Sequence, residues 1–407
     1  MRLSAPRDLR RQLHLPVLVP MAILLIMGVI ALSDIVLHIK GVGWVDGWAT
    51  KQLRWVLVGT AVSAVVLLVP YKLIVERAYV GYGICLLLLV AVLFTAKRNG
   101  ATRWIYVGGI GFQPSELMKL TLVLTLARFI RFKSSYKTFS GLGAPFLLTL
   151  VPMALILKQP DLGTALLCIP LLFVTLFAAG ARTRHLGLIA VLGAIAIYPI
   201  YEYGLAPYQR SRVDGFLANL PFVPKRDKQD ARPDPNKSKA ELRAERRAKQ
   251  RAERAMAQGS SYQVNQSLVA VGTGSWVGMD SEERDAVGRL PERHNDFIFP
   301  VIANRWGFLG CVFLLATYFW MLVAILLVSL KQRDPAGRLI CVGVFALLGA
   351  QAFVNIAMTV GLMPITGMTL PFVSYGGTSL IVSMVMIALV CNVAGRPSFE
   401  FGRGDFD

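Results

Sequence analysis

The sequence predicts an all-α polytopic membrane protein with about ten transmembrane helices, since each crossing takes about 20 apolar residues. Of its 407 residues 55% are hydrophobic and 16% are charged, whereas a soluble protein carries roughly 25% charged residues. The apolar runs begin near Leu15, Gln52, Ala78, Ser115, Leu142, Leu162, His185, Phe297, Leu339 and Pro371. We expect the first run to be a membrane span and not a cleaved signal, because no small-residue cleavage site follows it.

The distribution of lysine and arginine predicts the orientation, because short cytoplasmic loops carry an excess of both. The N-terminus and the even-numbered short loops carry Arg10, Arg77, Arg131, Arg182 and Arg338, among others. Both termini should therefore be cytoplasmic. Residues 205–296, between the seventh and eighth spans, then form one large extracytoplasmic loop. Lys97, Arg98 and Arg103 lie on the outer side and depart from the rule.

The chain is expected to be a single membrane domain, 1–407, with a basic low-complexity insert at about 223–258 of the large loop. Residues 225–254 hold twelve Lys or Arg and six Asp or Glu. The insert has no apolar stripe with which to bury itself. A solvated arm is one interpretation, and contact with anionic lipid headgroups or polymer at the outer face is the other.

Cysteine and histidine give no sign of a metal site. The five cysteines all fall in apolar runs, and the four histidines are scattered. We therefore expect neither disulfides nor a cysteine or histidine metal site.

The segment LPERHNDFIF, residues 290–299, joins the polar loop to an apolar span. A carboxylate at the mouth of an external cavity can act as a general base, and Asp296 is our candidate. The apolar residues that follow it should limit water and raise its pKa. His294 is expected to support the loop. Arg293 is expected to bind a phosphate or to pair with Glu292.

Two further polar groups lie inside apolar spans, where charge is unfavourable unless it is paired or faces a cavity. Glu116 and Lys119 are three residues apart, hence on one helical face. They form either an internal salt bridge or one wall of a polar cavity. Gln159 and Asp161 flank Pro160, at a joint that is either a tight turn between spans or part of the same cavity.

Three loop segments complete the set. Arg210 and Arg212 alternate with polar residues, which suits phosphate oxygens as well as interfacial anchoring. Ser374 and Tyr375 precede a Gly-Gly pair that interrupts an apolar run, as in helices that line substrate cavities. The Gly-rich segment that begins at Gly259 suits a re-entrant turn.

In this order, the motifs resemble the SEDS family (shape, elongation, division and sporulation proteins), from about residue 100 to 395. The likeness is greatest to the elongation member. It implies a peptidoglycan glycosyltransferase that polymerises lipid II at the outer face of the bacterial cytoplasmic (inner) membrane.

The resemblance also implies roles for individual residues. Asp296 matches the family's essential aspartate and would deprotonate the acceptor 4-hydroxyl, with a polyprenyl pyrophosphate as leaving group. Arg210 and Arg212, or a bound divalent metal such as Mg²⁺ or Mn²⁺, would neutralise that group. The expected substrate-binding residues are Arg210, Arg212, Glu116, Lys119, Gln159, Asp161, Arg293, His294, Ser374 and Tyr375. The implied partners are a class B penicillin-binding transpeptidase, lipid II with nascent glycan, and membrane lipids, with no nucleic acid.

Two other functions remain open. The Glu116/Lys119 pair and the broken helices also suit a flippase for the lipid-linked precursor. A non-catalytic scaffold for the transpeptidase would explain departures from the family pattern. These are Tyr106 after the RWI motif, Met279 and Asp280 in place of a Gly-Lys pair, and Asn304 and Arg305 in place of two acidic residues.

Overall fold

The protein is a bundle of long α-helices in the part of the chain that the computed structural model describes. That part comprises residues 13–37, 47–95, 103–107, 110–131, 138–204, 207–217, 259, 262–279 and 290–396. The helices up to the large loop are α1 (Leu15–Leu37), α2 (Trp48–Leu68), α3 (Tyr71–Glu76), α4 (Ala78–Val92), α5 (Pro114–Arg131), α6 (Gly143–Lys158), α7 (Leu162–Ala179), α8 (Thr183–Pro199) and α9 (Pro207–Leu217). After it come α10 (Ile298–Lys331), α11 (Pro335–Thr359) and α12 (Gly377–Ala394).

Shorter elements join these helices. Strands β1 (Ile105–Val107) and β2 (Ile110–Phe112) form an antiparallel pair in which Ile105 faces Phe112. A 3₁₀ turn, Ser140–Leu142, precedes α6, and a π-helical turn, Ile200–Gly204, continues α8. Residues 262–273 are also helical, so the turn expected from Gly259 onward is mostly a helix.

The predicted polytopic all-α membrane fold is confirmed. Ten helices within the described ranges have at least 15 residues, and each begins within six residues of a predicted span. Seven spans, including α6 with its preceding turn, are long and apolar enough to cross a membrane by length and composition. The number of crossings therefore stays a prediction.

Helices α11 and α12 form the centre of the bundle. They are buried along most of their length, and α2 packs on α12 while α5, α7 and α10 pack on α11. Helix α11 begins with a favourable cap, in which Asp334 accepts a hydrogen bond from the Gly337 amide at 3.2 Å and Pro335 occupies the first turn. The central position of α11 matters for the site, because its buried polar side chains reach several loops.

Helix α10 is broken at Gly307, where φ is +61° and ψ is −159°. The break frees two amides from the helical pattern, and both bond to segment 274–279: Phe308 N donates to Ser275 O at 2.9 Å and Leu309 N to Trp276 O at 3.1 Å. These two bonds satisfy the amides of the irregular backbone inside an apolar helix.

Most of the large loop is not described. The structure describes residues 207–217, 259, 262–279 and 290–296 of the predicted 205–296 loop. The basic insert at about 223–258 lies outside the described residues, and both interpretations of it stay predictions.

Candidate active site

Asp296 lies in the turn that precedes α10, and its side chain is partly exposed. The next three residues, Phe297, Ile298 and Phe299, are buried. Burial raises the pKa of Asp296 to about 6, and the charge of Arg212 opposes that rise. The side chain therefore combines access with a pKa near neutrality, as a general base requires.

The side chains of Arg212 and Asp296 both lie beside Gly367. A Cβ atom added to Gly367 would lie 3.1 Å from Arg212 Nη1 and 3.4 Å from Asp296 Oδ2. Arg212 Nη1 also donates to Ile365 O at 3.1 Å, and Gly367 has a φ of +75°, which side chains disfavour. The positive φ therefore favours glycine here, and a Cβ would make close contacts with both side chains.

Arg210, the second arginine expected at the leaving group, is directed elsewhere. Its guanidinium donates to Tyr201 O at 2.9 Å and to Glu202 O, and lies 5.5 Å from the Tyr201 ring. These contacts join α9 to the π-helical turn. A phosphate-binding role for Arg210 stays a prediction.

Asp161 caps α7 and is surrounded by donors. Its Oδ1 accepts from Thr164 N at 3.3 Å, and its Oδ2 accepts from Thr164 Oγ1 at 3.0 Å, Ser115 Oγ at 3.2 Å and Gln113 Nε2 at 3.0 Å. The carboxylate therefore joins the start of α5 to the start of α7, as a tight interhelical joint.

Arg103 adds a second cation that sequence analysis did not select. Its Nε donates to Gln159 O at 3.3 Å and its Nη2 donates to Pro160 O, while Gln159 Nε2 donates to Leu89 O at 2.8 Å. The charge of Arg103 also lowers the pKa of Asp296. Its position on the predicted outer side, against the charge rule for short loops, was the available signal.

Glu116 and Lys119 form the expected pair, with Nζ and Oε2 2.8 Å apart and both side chains buried. Lys119 Nζ also lies 3.0 Å from Gln351 Oε1 on α11, and Gln351 Nε2 donates to Thr369 O at 2.9 Å. The pair therefore links α5 through α11 to the turn that contains Gly367.

His294 belongs to an aromatic group beside Asp296. Its ring stacks on Trp48 with centroids 3.9 Å apart, and Tyr375 meets Trp48 edge-on at 4.8 Å. Burial lowers the pKa of His294, although Glu292, 3.8 Å away, opposes the shift. The imidazole is therefore neutral near pH 7. Arg293 is partly buried, and burial lowers its pKa, yet a guanidinium remains charged.

Ser374 is occupied by backbone contacts. Its Oγ donates to Asn295 O at 2.6 Å and accepts from Leu370 N at 2.8 Å. The Ser374 hydroxyl therefore joins the Asp296 loop to the segment before α12.

A bound divalent metal such as Mg²⁺ or Mn²⁺ stays a prediction. No group of three or more His, Cys, Asp or Glu side chains among the described residues could hold a metal ion, and Asp161 is already surrounded by donors. We therefore derive no step through a metal and consider the cations of the chain itself.

Together, the fold and the site define a polytopic α-helical membrane protein with a carboxyl group and a guanidinium that both lie beside the turn at Gly367. The family model described as "Cell cycle protein", covering FtsW, RodA and SpoVE, matches residues 14–222 and 239–398. The chain belongs to this family.

Relatives and solved structures agree with that membership. "Peptidoglycan glycosyltransferase MrdB" of Escherichia coli (strain K12) is 31% identical over 377 residues, 92% of each chain. "Probable peptidoglycan glycosyltransferase FtsW" of Geobacter metallireducens is 32% identical over 355 residues, 85% of this chain and 84% of the relative. These names support the prediction of a glycosyltransferase enzyme.

The fold is shared with two solved chains. One, described as "Structural coordination of polymerization and crosslinking by a peptidoglycan synthase complex", has a TM-score of 0.73 and 29% identity, and the match covers 93% of this chain and 96% of that one. The other, the rod shape determining protein RodA of Thermus thermophilus, has a TM-score of 0.61 and 27% identity, with 93% and 95% covered.

Proposed function

We propose that this protein polymerises lipid II into peptidoglycan strands at the outer face of the cytoplasmic membrane, with Asp296 as the general base. One observation carries the proposal: Asp296 combines a pKa of about 6 with an adjacent guanidinium, that of Arg212. The pKa leaves most of the carboxylate ionised at neutral pH while keeping it a usable base. Family membership and the names of the relatives supply the substrate class.

In the proposed reaction, the 4-hydroxyl of the acceptor sugar gives its proton to the Asp296 carboxylate. The hydroxyl oxygen bonds to the anomeric carbon of the donor, and the bond from that carbon to the phosphate oxygen breaks. The electron pair leaves with the polyprenyl pyrophosphate, where negative charge develops. Arg212 supplies fixed positive charge for it, and Arg103 adds to the local positive potential.

We further propose the setting in which this reaction occurs. Both termini lie in the cytoplasm, as the charges of the short loops indicate, and the elongation role follows from the motif likeness. A class B penicillin-binding transpeptidase is the proposed partner, because one structural neighbour comes from a complex that coordinates polymerisation with crosslinking.

The test is polymer formation from lipid II by the purified protein, with and without the partner and added Mg²⁺ or Mn²⁺. Asp296→Asn should abolish glycan chains, because the amide cannot accept the proton. Glu292→Gln is the matched control, since Glu292 lies exposed in the same turn and should keep its activity. Unchanged synthesis by Asp296→Asn would exclude Asp296 as the base, whereas no synthesis by the purified wild type would favour a scaffold.

A flippase is the second candidate, favoured by the buried Glu116 and Lys119 pair. Liposomes with lipid II only in the outer leaflet separate the two functions. A polymerase makes chains from that pool, whereas a flippase moves the lipid inward and makes none.

A further inference from the structure

Three consecutive carbonyl groups of the Asp296 loop accept hydrogen bonds from outside the loop. His294 O accepts from Tyr375 N at 2.9 Å, and Asn295 O accepts from Ser374 Oγ at 2.6 Å. Asp296 O accepts from Asn355 Nδ2 at 3.0 Å. The first two donors belong to the segment before α12, and the third comes from the centre of the bundle.

Asn355 differs from the other two donors because it joins two parts of the site. Its side chain is 0% exposed on α11, one turn after Gln351. The same Nδ2 donates to Met368 O at 2.6 Å, and Met368 follows Gly367. One buried amide thus bridges the main chain of Asp296 and the turn beside which the Arg212 and Asp296 side chains lie.

The bridge matters because Asp296 precedes α10 and has no helical hydrogen-bond pattern of its own to hold it. Its carboxylate position depends on its own backbone, and the turn at Gly367 limits the approach of Arg212. An error of about 1 Å in a reacting group lowers a rate roughly 100-fold. A donor that holds both backbones therefore sets the relation between base and cation.

We propose that Asn355 is a positioning residue that fixes Asp296 relative to Gly367 and Arg212. The inference rests on the proposed polymerase function for its kinetic consequence only. The competing explanation is that Asn355 merely satisfies two buried carbonyls, a requirement of any apolar interior. Under that explanation its loss would destabilise the fold without a specific effect on the reaction.

Asn392 on α12 is a matched control for that explanation. It is also 0% exposed, and its Nδ2 donates to Val66 O and to Val69 O, each at 2.6 Å. These carbonyls lie near the end of α2, roughly 30 Å along the helix from Trp48, at 1.5 Å per residue. Asn392 Oδ1 also accepts from Tyr71 N at 3.3 Å, and Nδ2 makes a longer bond to Leu67 O at 3.5 Å. Asn392→Leu therefore removes at least as many buried bonds as Asn355→Leu, far from Asp296.

The kinetic test compares three variants of the full chain: Asn355→Leu, Asn355→Asp and Asn392→Leu. Asn355→Asp keeps the shape of the side chain but has at most one proton to donate, so it cannot bond both carbonyl groups. We expect kcat per folded molecule to fall roughly 100-fold in both Asn355 variants, with KM for lipid II nearly unchanged. Asn392→Leu should lower thermal stability and keep kcat. A wild-type kcat in folded Asn355→Leu, or an equal fall in Asn392→Leu, overturns the proposal.

Hydrogen exchange gives a second readout that does not require polymerisation. Asn355→Leu should accelerate amide exchange in residues 292–297, whereas Asn392→Leu should accelerate it in residues 66–72. If the wild type makes no polymer, the polymerase proposal fails, and the positioning role of Asn355 is then tested by hydrogen exchange alone. Unchanged exchange in 292–297 of folded Asn355→Leu would refute it.

Discussion

The pH dependence of polymerisation is the most direct consequence of the site. Asp296 must be ionised to accept a proton, so activity should rise with pH through its pKa. Burial raises that pKa to about 6, whereas an ordinary aspartate has a pKa of about 4. The acid limb of kcat/KM should therefore have its midpoint near pH 6.

The size of the effect follows from the ionised fraction. With a pKa of about 6, about nine-tenths of Asp296 is ionised at pH 7 and about one-tenth at pH 5. The rate should therefore fall about tenfold between these two values. With an ordinary pKa of about 4, the rate would fall by only about a tenth between pH 7 and pH 5.

A comparison of two arginines shows whether the midpoint belongs to Asp296. Arg212 lowers the pKa of Asp296, so Arg212→Gln should move the midpoint to higher pH. Arg210 donates to Tyr201 O and Glu202 O instead. Arg210→Gln should therefore leave the midpoint in place, even if it lowers the rate.

The assay is the initial rate of glycan formation between pH 5 and pH 9, at lipid II concentrations below KM, so that kcat/KM reports the free enzyme. Fluorescent lipid II and gel separation give both rate and chain length. A wild-type rate that falls by only about a tenth between pH 7 and pH 5 would refute a buried base with a raised pKa. Equal shifts in Arg210→Gln and Arg212→Gln would refute the specific role of Arg212.

Three further predictions concern stability, each measured by thermal unfolding in detergent. Asp296→Asn should stabilise the protein at pH 8, because the raised folded-state pKa of Asp296 opposes its ionisation. The gain is at most about 3 kcal/mol and is reduced by the partial exposure of the side chain. It should shrink as the pH falls from 6 towards 4. Glu116→Gln or Lys119→Met alone should destabilise by about 3–5 kcal/mol by leaving one buried charge, and the double variant by much less than the sum. Gly278→Ala should destabilise by about 2 kcal/mol or more, because φ is +98° and the added Cβ would lie 1.9 Å from Arg305 O.

The elements predicted from sequence are those that depend on local periodicity. Long apolar runs gave the positions of the helices, because a membrane span is defined by length and hydropathy alone. The pairing of Glu116 with Lys119 followed from their spacing of three, which places both on one helical face. The raised pKa of Asp296 followed from the apolar residues directly after it. All of these are properties of neighbouring residues.

The parts that sequence did not predict depend on residues brought together from distant segments. Asp296, Arg212 and Gly367 come from three separate loops or helices, and no spacing relates them. Asn355 lies inside an apolar run, and the sequence does not show to which groups its side-chain amide donates. The choice between Arg210 and Arg212 required the packing of α9 on its neighbours, because two alternating arginines are equivalent in a sequence.

The described departures from the family pattern around α10 make contacts of their own. Asn304 and Met279 are two of them, and they contact each other: Met279 N donates to Asn304 O at 2.9 Å, and Asn304 Nδ2 lies 3.6 Å from Met279 Sδ. The same Nδ2 donates to Thr273 Oγ1 at 2.9 Å. Both residues therefore lie where segment 274–279 meets the break in α10.

Arg305 extends the same argument to the third departure. Its Nη1 donates to Ile30 O on α1 at 2.6 Å, and its guanidinium lies 5.1 Å from the Trp306 ring. These contacts hold α10 to α1 just before the break at Gly307. The altered positions therefore have structural partners of their own around the break. Asp296 lies apart from these contacts, in the turn before α10.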